Sequence, residues 1–385
     1  MKNEYDIIVC GGGMSGLSLI YRALKANIWS NKSIILIDKE IKTANDKTWC
    51  FWENTISPFE DVIFKKWKEM CFFDIEDNGY LLNTKDYSYN MIRSSDFYNY
   101  TFDYIKSHSN LKIVREEIKS ISNTASGCEV LTDSCNYHAE FVFNSVYQKP
   151  KLKENNTYLQ QHFKGVIIES DNLNLDPNKI HLMDFRTSQE YGATFFYVLP
   201  TSDNTALVEY TLFSEKLLDP HIYHQRLKEY IVNILGIAEY KIIESEFGVI
   251  PMTDYPFERT TGSIINIGTI GGDTRGSTGY TFSNTQKTIS NIIQNYKSKE
   301  TPLGIEEHIS RKHRIYDSTM LKVLAGGKYK GHQLFTDMFT KSKAYDILAF
   351  LDAESTLLQD FGIIKSLIPQ YFFKPFFQSL LQSKK

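Results

Sequence analysis

The sequence is poor in the features that mark disulfide-stabilised and metal-binding proteins. It has five cysteines in 385 residues, an odd number with no CxxC spacing, which argues against a disulfide framework and a zinc site. No HExxH run is present. His221 and His224 lie three residues apart, as two ligands on one helix face could, but a solvated helix face is the favoured interpretation. We therefore expect no metal site.

Long apolar runs and an excess of charge of one sign are also missing. No stretch approaches about 18 uninterrupted apolar residues, so no membrane-spanning helix is expected. The net charge is −3, without the basic excess that would indicate a nucleic-acid partner. The chain enters a strand almost at once, with no charged region followed by an apolar stretch. We therefore expect no signal peptide and a cytoplasmic location.

Aromatic side chains are plentiful, with 25 Phe, 24 Tyr and 4 Trp. Two interpretations stay open: ordinary aromatic cores, or an aromatic-lined pocket for an apolar or cationic species. Apolar residues make up 42% of the chain, which is enough to build a core. The length allows one large domain or two of ordinary size.

The first forty residues predict a βαβ unit. Residues 5–10 are typical of a buried parallel strand, residues 14–26 have helical periodicity, and residues 33–38 are typical of the next strand. A glycine-rich turn with GxGxxG spacing joins the first strand to the helix, and its glycines are Gly11, Gly12, Gly13 and Gly16.

This turn has the chemistry of a dinucleotide site. Gly11 permits a tight turn, Gly13 lets the backbone approach a pyrophosphate, and Gly16 allows the helix to pack closely on the strand. The helix N-terminus offers N–H groups and a positive dipole end to the phosphates. Asp38 ends the second strand, where a carboxylate can accept both hydroxyls of an adenosine ribose and would repel the 2′-phosphate of NADP. FAD and NAD both satisfy this motif, and a purely structural glycine turn is the alternative.

A second glycine-rich turn favours FAD. Residues 264–268 predict another buried strand, followed by a Gly/Ser/Thr-rich turn and a helix over 280–297. Glutathione-reductase-like flavoproteins use such a late turn to grip the ribityl and pyrophosphate groups of FAD, whereas NAD enzymes with a single Rossmann unit have no need of one. We expect this role for Gly271, Gly272, Thr278 and Gly279, and an ordinary loop is the alternative.

These segments predict an α/β fold, α+β overall, with a glutathione-reductase-like Rossmann domain for FAD, an inserted antiparallel-sheet substrate domain and a helical C-terminus. The strand-like segments of the inserted region are 165–169, 193–199, 205–213 and 241–249, with a helix over 219–235. The expected boundaries are 1–75, 94–150 and 250–300 for the FAD domain, 76–93 and 151–249 for the substrate domain, and 301–385 for the helical region.

Seven segments have the order and spacing of one known family. They are YDIIVCGGGMSG (5–16), KTWCFWE (47–53), MDFR (183–186), FFYVLPTSDNTALVEYT (195–211), FGVIPMT (247–253), GTIGGDTRGSTGYTF (268–282) and RIYDSTMLKVL (314–324). On these segments the chain resembles the bacterial lycopene β-cyclases, flavoprotein carotenoid cyclases related to the plant lycopene cyclases. It departs from them at Arg275-Gly276, where many cyclases carry a His-Pro pair. It also has Gly268-Thr269 where related hydroxylases have Gly-Asp.

The resemblance implies a redox-neutral reaction, in which the ψ-ends of lycopene or a similar carotenoid close to β-rings and give γ-carotene or β-carotene. It implies that FAD acts in its reduced form, with NAD(P)H as the reductant. It also implies that Glu209 is the catalytic acid, because burial among apolar residues can keep a carboxyl group protonated. From the residues alone, a strand-edge glutamate paired with a lysine or arginine is the favoured interpretation of Glu209.

Other candidate site residues have two interpretations each. Asp184 and Arg186 are either a catalytic polar pair near the flavin or an ion pair at a domain interface. Six aromatic residues are candidates for the pocket or for the core, namely Trp49, Phe51, Trp52, Phe185, Phe195 and Tyr197. Residues 368–381 (IPQYFFKPFFQSLL) predict either an interfacial helix, binding peripherally to the inner face of the cell membrane, or a packed terminal helix.

Two other functions use the same expected fold. One is an FAD-dependent oxidoreductase of the hydroxylase or geranylgeranyl-reductase type, acting on an apolar isoprenoid. The other is a non-catalytic flavoprotein or carotenoid-binding module. The oxidoreductase would consume one NAD(P)H or O2 per product, whereas a cyclase needs only enough reductant to prime its flavin.

Overall fold

Strand pairing divides the described part of the chain into three sheets. The computed structural model describes residues 3–383. Its strands are β1 (Glu4–Cys10), β2 (Ile34–Asp38), β3 (Thr48–Glu53), β4 (Lys65–Trp67), β5 (Glu69–Phe73), β6 (Gly79–Leu82), β7 (Ser88–Arg93), β8 (Leu111–Arg115), β9 (Ile118–Thr124), β10 (Gly127–Thr132), β11 (Asn136–Asn144), β12 (Tyr158–Glu169), β13 (Lys179–Asp184), β14 (Ala193–Pro200), β15 (Thr205–Ser214), β16 (Lys241–Thr253), β17 (Thr260–Thr261) and β18 (Ile264–Asn266).

The helices lie between and after these strands. They are α1 (Met14–Lys25), α2 (Ser94–Ile105), α3 (Pro220–Glu229), α4 (Phe282–Lys299), α5 (Arg311–Gly326), α6 (Gly331–Lys341), α7 (Ala344–Leu351), α8 (Leu357–Ser366) and α9 (Phe373–Gln382). Short 3-10 turns occur at Glu60–Val62, Gly268–Gly271 and Pro369–Tyr371, and a π-helical turn at Tyr230–Ile234 extends α3.

The first sheet confirms the predicted α/β fold. Its central path is β17-β18-β11-β1-β2-β8, and β1 pairs in parallel with both β2 and β11. β9 and β10 add an antiparallel hairpin beside β11. The last four residues of β1 are fully buried, as expected for a parallel strand covered on both faces, and α1 packs against α2 and α4. This is a Rossmann-type arrangement with the glycine-rich turn at the carboxyl end of β1.

The second sheet is the expected antiparallel one, with the strand order β16-β12-β15-β14-β13-β5-β6. Only the β13–β5 pair is parallel among these described strands. All eight residues of β14 are buried, because helices cover both faces. α3 packs on one face against β12 and β15, and α6 contacts β14 from the other. A run such as ATFFYVLP therefore replaces the apolar–polar alternation of a half-exposed strand.

Strand pairing moves two of the expected domain boundaries. β5 belongs to the second sheet, so residues 69–73 do not join the Rossmann sheet as the range 1–75 requires. β7 pairs with β3 and β4 in a separate three-stranded sheet, although the range 76–93 assigns it to the substrate domain. The sequence predicts where strands occur, but the choice of a distant partner depends on packing that no local pattern encodes.

The C-terminal helices share a hydrophobic core with the second sheet. Phe72 of β5 stacks on Phe339 of α6 with ring centroids 4.9 Å apart, and Phe185 stacks on Phe335 at 5.9 Å. These helices therefore form a wall of the substrate sheet. Within residues 3–383, no helix combines the length and the apolar character that crossing a bilayer requires.

Candidate active site

The first glycine turn forms an open cradle at the start of α1. Gly11 has φ 99°, and a Cβ on Gly16 would lie 2.0 Å from the backbone oxygen of Gly11, so both positions require glycine. No atom lies within 4 Å of a Cβ built on Gly13, which is also the N-cap of α1 and supplies no side-chain cap. The N–H groups of this helix end therefore face a space in which a phosphate fits.

Asp38 lies beside this cradle, as the sequence predicts. Its Oδ2 accepts the backbone N–H of Gly12 at 2.5 Å, and its Oδ1 accepts the backbone N–H of Glu40 at 2.9 Å. Both bonds fix the carboxylate at the carboxyl end of β2. Each oxygen keeps further lone pairs, which are available to the hydroxyl groups of a ribose.

The late glycine turn lies against the first one. A Cβ on Gly268 would be 2.4 Å from Oγ of Ser15 in α1, and Gly268 has φ 66°. Gly271 ends a 3-10 turn, and Gly272 follows it with φ 80°. Two turns that are about 250 residues apart in sequence thus meet at one edge of the Rossmann sheet. The residues predicted to grip FAD are therefore brought together.

A cavity of about 120 Å³ opens where the late turn meets the second and third sheets. Thr278 and Gly279 line it, and a Cβ on Gly279 would lie 2.4 Å from Oε1 of Gln161 on β12. Its aromatic walls are Trp49, Tyr89, Phe163, Tyr197, Tyr280 and Phe282. Its polar lining is Thr48, Cys50, Gln161, Glu209, Glu246, Thr278 and Thr281.

Glu209 projects into this cavity from β15. It stands opposite Tyr197 of β14 and Gly165 of β12, and its Oε1 accepts the hydroxyl of Thr211 at 2.8 Å. Burial first, and then the negative charge of Glu246, raise the pKa of Glu209 to about 8. Glu209 is therefore a protonated carboxylic acid at neutral pH, which is the form a proton donor needs.

Three tyrosines surround the cavity next to Glu209. The Tyr280 oxygen lies 3.3 Å from that of Tyr197 and 3.4 Å from that of Tyr89. Burial raises the pKa of Tyr280 to about 12, so its phenol is neutral at physiological pH. Trp52 packs edge-on against Tyr280 at 4.2 Å between ring centroids. These rings line the cavity without adding a formal charge.

Two of the six candidate pocket aromatics line the cavity, namely Trp49 and Tyr197. The other four, Phe51, Trp52, Phe185 and Phe195, are buried in the hydrophobic cores. Sequence reasoning missed Tyr89, Phe163, Tyr280, Phe282 and Glu246 as lining residues. Two signals were available in the sequence. Glu246 and Gly248 are two residues apart in a strand and so share one face of it, and Tyr280 lies within a segment already noted for its glycines.

Asp184 and Arg186 lie on the other face of the second sheet. Arg186 Nη2 donates to Asp184 Oδ2 at 2.7 Å, and the Tyr230 hydroxyl donates to the same oxygen at 2.6 Å. Tyr230 in turn stacks on Phe196 at 3.7 Å, on the α3 side of the sheet. The structure does not bring this pair to Glu209.

Asp184 also has the wrong protonation state for an acid. Burial by itself would raise the pKa of Asp184. Hydrogen bonds from His181, Arg186 and Tyr230 outweigh burial and lower this pKa to about 2. The carboxylate is therefore ionised, and its contacts are those of a buried structural ion pair. This corrects the interpretation of Asp184 and Arg186 as a polar pair beside the cofactor.

Fold and site together define a class of protein. A Rossmann-type cradle with a late glycine turn faces an antiparallel sheet, and the space between them is a cavity. Two solved structures share this fold. A geranylgeranyl bacteriochlorophyll reductase-like protein from Thermoplasma acidophilum has a TM-score of 0.67 at 12% identity, with 100% of both chains covered. HpxO of Klebsiella pneumoniae, complexed with FAD and uric acid, has a TM-score of 0.67 at 10% identity, over 91% of this chain and 96% of that one.

Sequence comparison narrows the class. The model of the family described as lycopene cyclase protein matches residues 6–379, and the chain belongs to this family. Over 304 residues it is 25% identical to the chromoplastic capsanthin/capsorubin synthase of Capsicum annuum and 26% identical to the chloroplastic neoxanthin synthase of Solanum tuberosum. Each match covers 72% of this chain and 58% of the relative.

Proposed function

We propose that this protein catalyses the redox-neutral cyclisation of the ψ-ends of lycopene, or of a similar carotenoid, to β-rings. The observation that supports this most strongly is Glu209, a protonated carboxyl group in an aromatic cavity beside a dinucleotide cradle. Membership of the lycopene cyclase family supports the reaction type. The names of the curated relatives, which are carotenoid-modifying synthases, support the substrate class.

The reaction needs a carboxylic acid that still holds its proton at neutral pH and can pass it to an alkene, and it needs a site that excludes water. Glu209 donates its proton to the terminal double bond, which leaves a tertiary carbocation. The neighbouring double bond attacks this cation and closes the ring, and loss of a proton then gives the β-ring. No electron is gained or lost between substrate and product.

The cavity walls suit the cationic intermediates. Trp49, Tyr89, Tyr197 and Tyr280 present neutral aromatic rings, whose electron-rich faces attract a cation. Cys50 also lines the cavity, and burial raises the pKa of this thiol well above its ordinary value. A neutral thiol and neutral phenols are weaker nucleophiles than a thiolate or a phenolate, which favours ring closure over capture of the cation.

The cradle fits FAD. Gly13 leaves room for a pyrophosphate, Asp38 faces the position of a ribose, and the late turn at Gly271, Gly272, Thr278 and Gly279 would hold the rest of the group. Gln161 Oε1 is buried beside Gly279 without a hydrogen-bond partner among the described residues, so it is free to bind a polar group there. When bound, reduced FAD would supply an electron-rich ring that stabilises positive charge, and NAD(P)H would keep it reduced.

Apolar side chains on the last helices support peripheral membrane binding at the inner face of the cell membrane. Lycopene is insoluble in water, so the enzyme must take it from a bilayer. Exposed residues of α8 are Leu357, Leu358, Phe361 and Ile364, and those of α9 are Phe373, Phe376, Phe377 and Leu381. Lys365 and Lys374 stand among them, as expected for helices at a lipid surface.

Anaerobic incubation of the purified chain with lycopene and reduced FAD tests the proposal. A product of unchanged mass and altered absorption spectrum is the expected result. Consumption of one NAD(P)H for each product would indicate a reductase, and retention of lycopene without any product would indicate a binding module. Glu209→Gln, loaded with the same amount of flavin, is the matched control and should give no product.

A further inference from the structure

A second glutamate, Glu246, lies beside Glu209 although their strands do not pair with each other. β15 and β16 flank β12 on its two sides, and Glu209 and Glu246 both stand opposite Gly165 of β12. Residues directly opposite each other in antiparallel strands point to the same face of the sheet. The three residues therefore form one row across the sheet, with the glycine in the centre.

Gly165 allows the two carboxyl groups to approach each other. Two interstrand spacings put the glutamate backbones roughly 10 Å apart, so each side chain must extend over the glycine to meet the other. A Cβ at position 165 would lie 3.1 Å from Cγ and 3.3 Å from Oε1 of Glu246. The side chain of Glu246 thus already occupies the space above Gly165, on the side of Glu209.

The two carboxyl groups have different contacts. Oε1 of Glu209 accepts a hydrogen bond from Thr211. Oε1 of Glu246 is buried, belongs to a residue that lines the cavity, and has no hydrogen-bond partner among the described residues. Buried carboxylate oxygens are rarely left unpaired, so Oε1 can accept a proton from a group that enters the cavity. The carboxyl groups of Glu246 and Glu209 are also hydrogen-bonded to each other, so a proton can pass between them.

Several neighbouring elements contribute titratable groups to this corner of the site. These groups are Lys47 just before β3, Cys50 on β3, Tyr89 on β7, Tyr197 on β14, Glu244 on β16 and Tyr280 in the late turn. Burial raises the pKa of Glu246 to about 7, while hydrogen bonds from Thr48 act in the opposite direction. Since two carboxylates this close cannot both ionise easily, the pair retains one proton at neutral pH.

We infer that Glu246 is the proton acceptor of the cyclisation and shares one proton with Glu209 across Gly165. This role rests on the proposed function. The O–H bond of Glu209 breaks as a C–H bond forms at the terminal carbon. After ring closure, the C–H bond beside the ring cation breaks, its electron pair becomes the ring double bond, and its proton passes to Glu246. Transfer of that proton to Glu209 restores the starting state, and no oxidant or reductant is consumed.

The shared proton can be measured without substrate. Infrared spectroscopy follows the C=O band of a protonated carboxyl group as pH is raised, in the wild-type protein, Glu209→Gln and Glu246→Gln. Each variant should lose one titrating group. In Glu246→Gln, Glu209 should titrate at a lower pH than in the wild type, because its like-charged neighbour is gone. An unchanged titration of Glu209 in Glu246→Gln would overturn the pairing.

Turnover tests the acceptor role. When each protein is assayed at its own pH optimum, so that a change in the pKa of Glu209 does not enter the comparison, Glu246→Gln should lose at least about 100-fold in rate at unchanged flavin content. Glu246→Asp, which keeps a carboxylate, should recover part of that loss. The matched control is Glu215→Gln, at an exposed position just after β15, which should turn over like the wild type.

Two results would overturn this role in distinguishable ways. If Glu246→Gln cyclises lycopene at the wild-type rate, Glu246 is not the acceptor, and the proposed function stands. If the wild-type chain itself does not cyclise lycopene, the proposed function fails and the acceptor role fails with it.

Discussion

Arg275 and Asp317 form a buried, bidentate ion pair. Nε and Nη2 of Arg275 donate to the two carboxylate oxygens of Asp317 at 2.8 and 2.7 Å, and Ser277 adds a third hydrogen bond at 2.7 Å. Arg275 belongs to the late glycine turn and Asp317 to α5, so the pair joins the cofactor cradle to the C-terminal helices. It also gives a physical role to Arg275, which stands where many cyclases carry histidine.

Asp317→Ala should destabilise the protein strongly. It leaves the guanidinium of Arg275, which is 1% exposed, without its counter-charge, and breaking a buried pair in this way typically costs about 3–5 kcal/mol. The matched control is Asp96→Ala, which removes a half-exposed pair with Arg93 and should cost about 1 kcal/mol or less. Denaturant unfolding of both variants measures the difference, and equal costs would contradict the prediction.

Gly13→Ala should empty the cofactor site while the fold remains intact. An added methyl group meets no protein atom, but it occupies the space that a phosphate would approach. Asp38→Ala should also reduce the flavin content, because it removes the carboxylate beside the ribose position. Gly362→Ala in α8 adds a methyl group to open space elsewhere and should leave flavin content unchanged. Absorbance of the purified proteins checks all three, and full flavin loading of Gly13→Ala would refute the cradle assignment.

Glu209→Gln should abolish turnover, because it keeps the size of the side chain but removes the transferable proton. The expected loss lies at or beyond the upper end of the about 10²–10⁴-fold range for general acids, with flavin content unchanged. Wild-type activity should fall as pH rises through about 8, where Glu209 ionises. Glu215→Gln, at an exposed position just after β15, is the control. Substantial cyclisation by Glu209→Gln would mean that another group supplies the proton.

The same proton makes stability depend on pH. Glu209 has an ordinary pKa of 4.5 when unfolded and about 8 when folded, so over this range the folded chain holds a proton that the unfolded chain has lost. Its stabilising contribution is complete below about pH 4.5 and is lost as pH rises through about 8. Glu209→Gln should therefore gain unfolding free energy relative to the wild type as pH rises across this window. A difference that does not vary with pH would show that the folded pKa is not raised.

Leu358→Gln combined with Phe361→Gln should weaken binding to liposomes. These side chains are 86% and 64% exposed, and each apolar group that enters the lipid contributes to binding. Leu81→Gln removes an apolar side chain of similar exposure, 65%, from β6 and should have no effect. Flotation with vesicles measures the bound fraction. The wild type is compared with the double variant and with a chain that ends before Pro369. If all three float equally, these helices are not the membrane contact.

Local patterns were sufficient to predict the cradle but not the full cavity. Gly11, Gly13, Gly16 and Asp38 lie within one βαβ unit, so their positions follow from the spacing of strand, turn and helix. Glu246 could not be linked to Glu209 in the same way, because its strand meets β15 only across β12. The register of two separate strand pairings places both residues opposite Gly165, and no sequence period encodes that register.

Asp184 illustrates the opposite error. Its two-residue spacing from Arg186 correctly indicated an ion pair, since Arg186 Nη2 lies 2.7 Å from its carboxylate. The face of the sheet on which that pair lies depends on where α3 packs, and this is a tertiary property. A one-residue shift along a strand reverses the face, so motif membership alone could not separate Asp184 from the residues that line the cavity.

The small size of the cavity has a consequence for how a long polyene is handled. A volume of about 120 Å³ admits one end of such a molecule, and the remainder must extend beyond the opening. Under the proposed function, the site would therefore bind a terminus of the polyene and make no contact with its middle. The two ends of the polyene would react in separate binding events, and a molecule already cyclised at one end would bind through its other end.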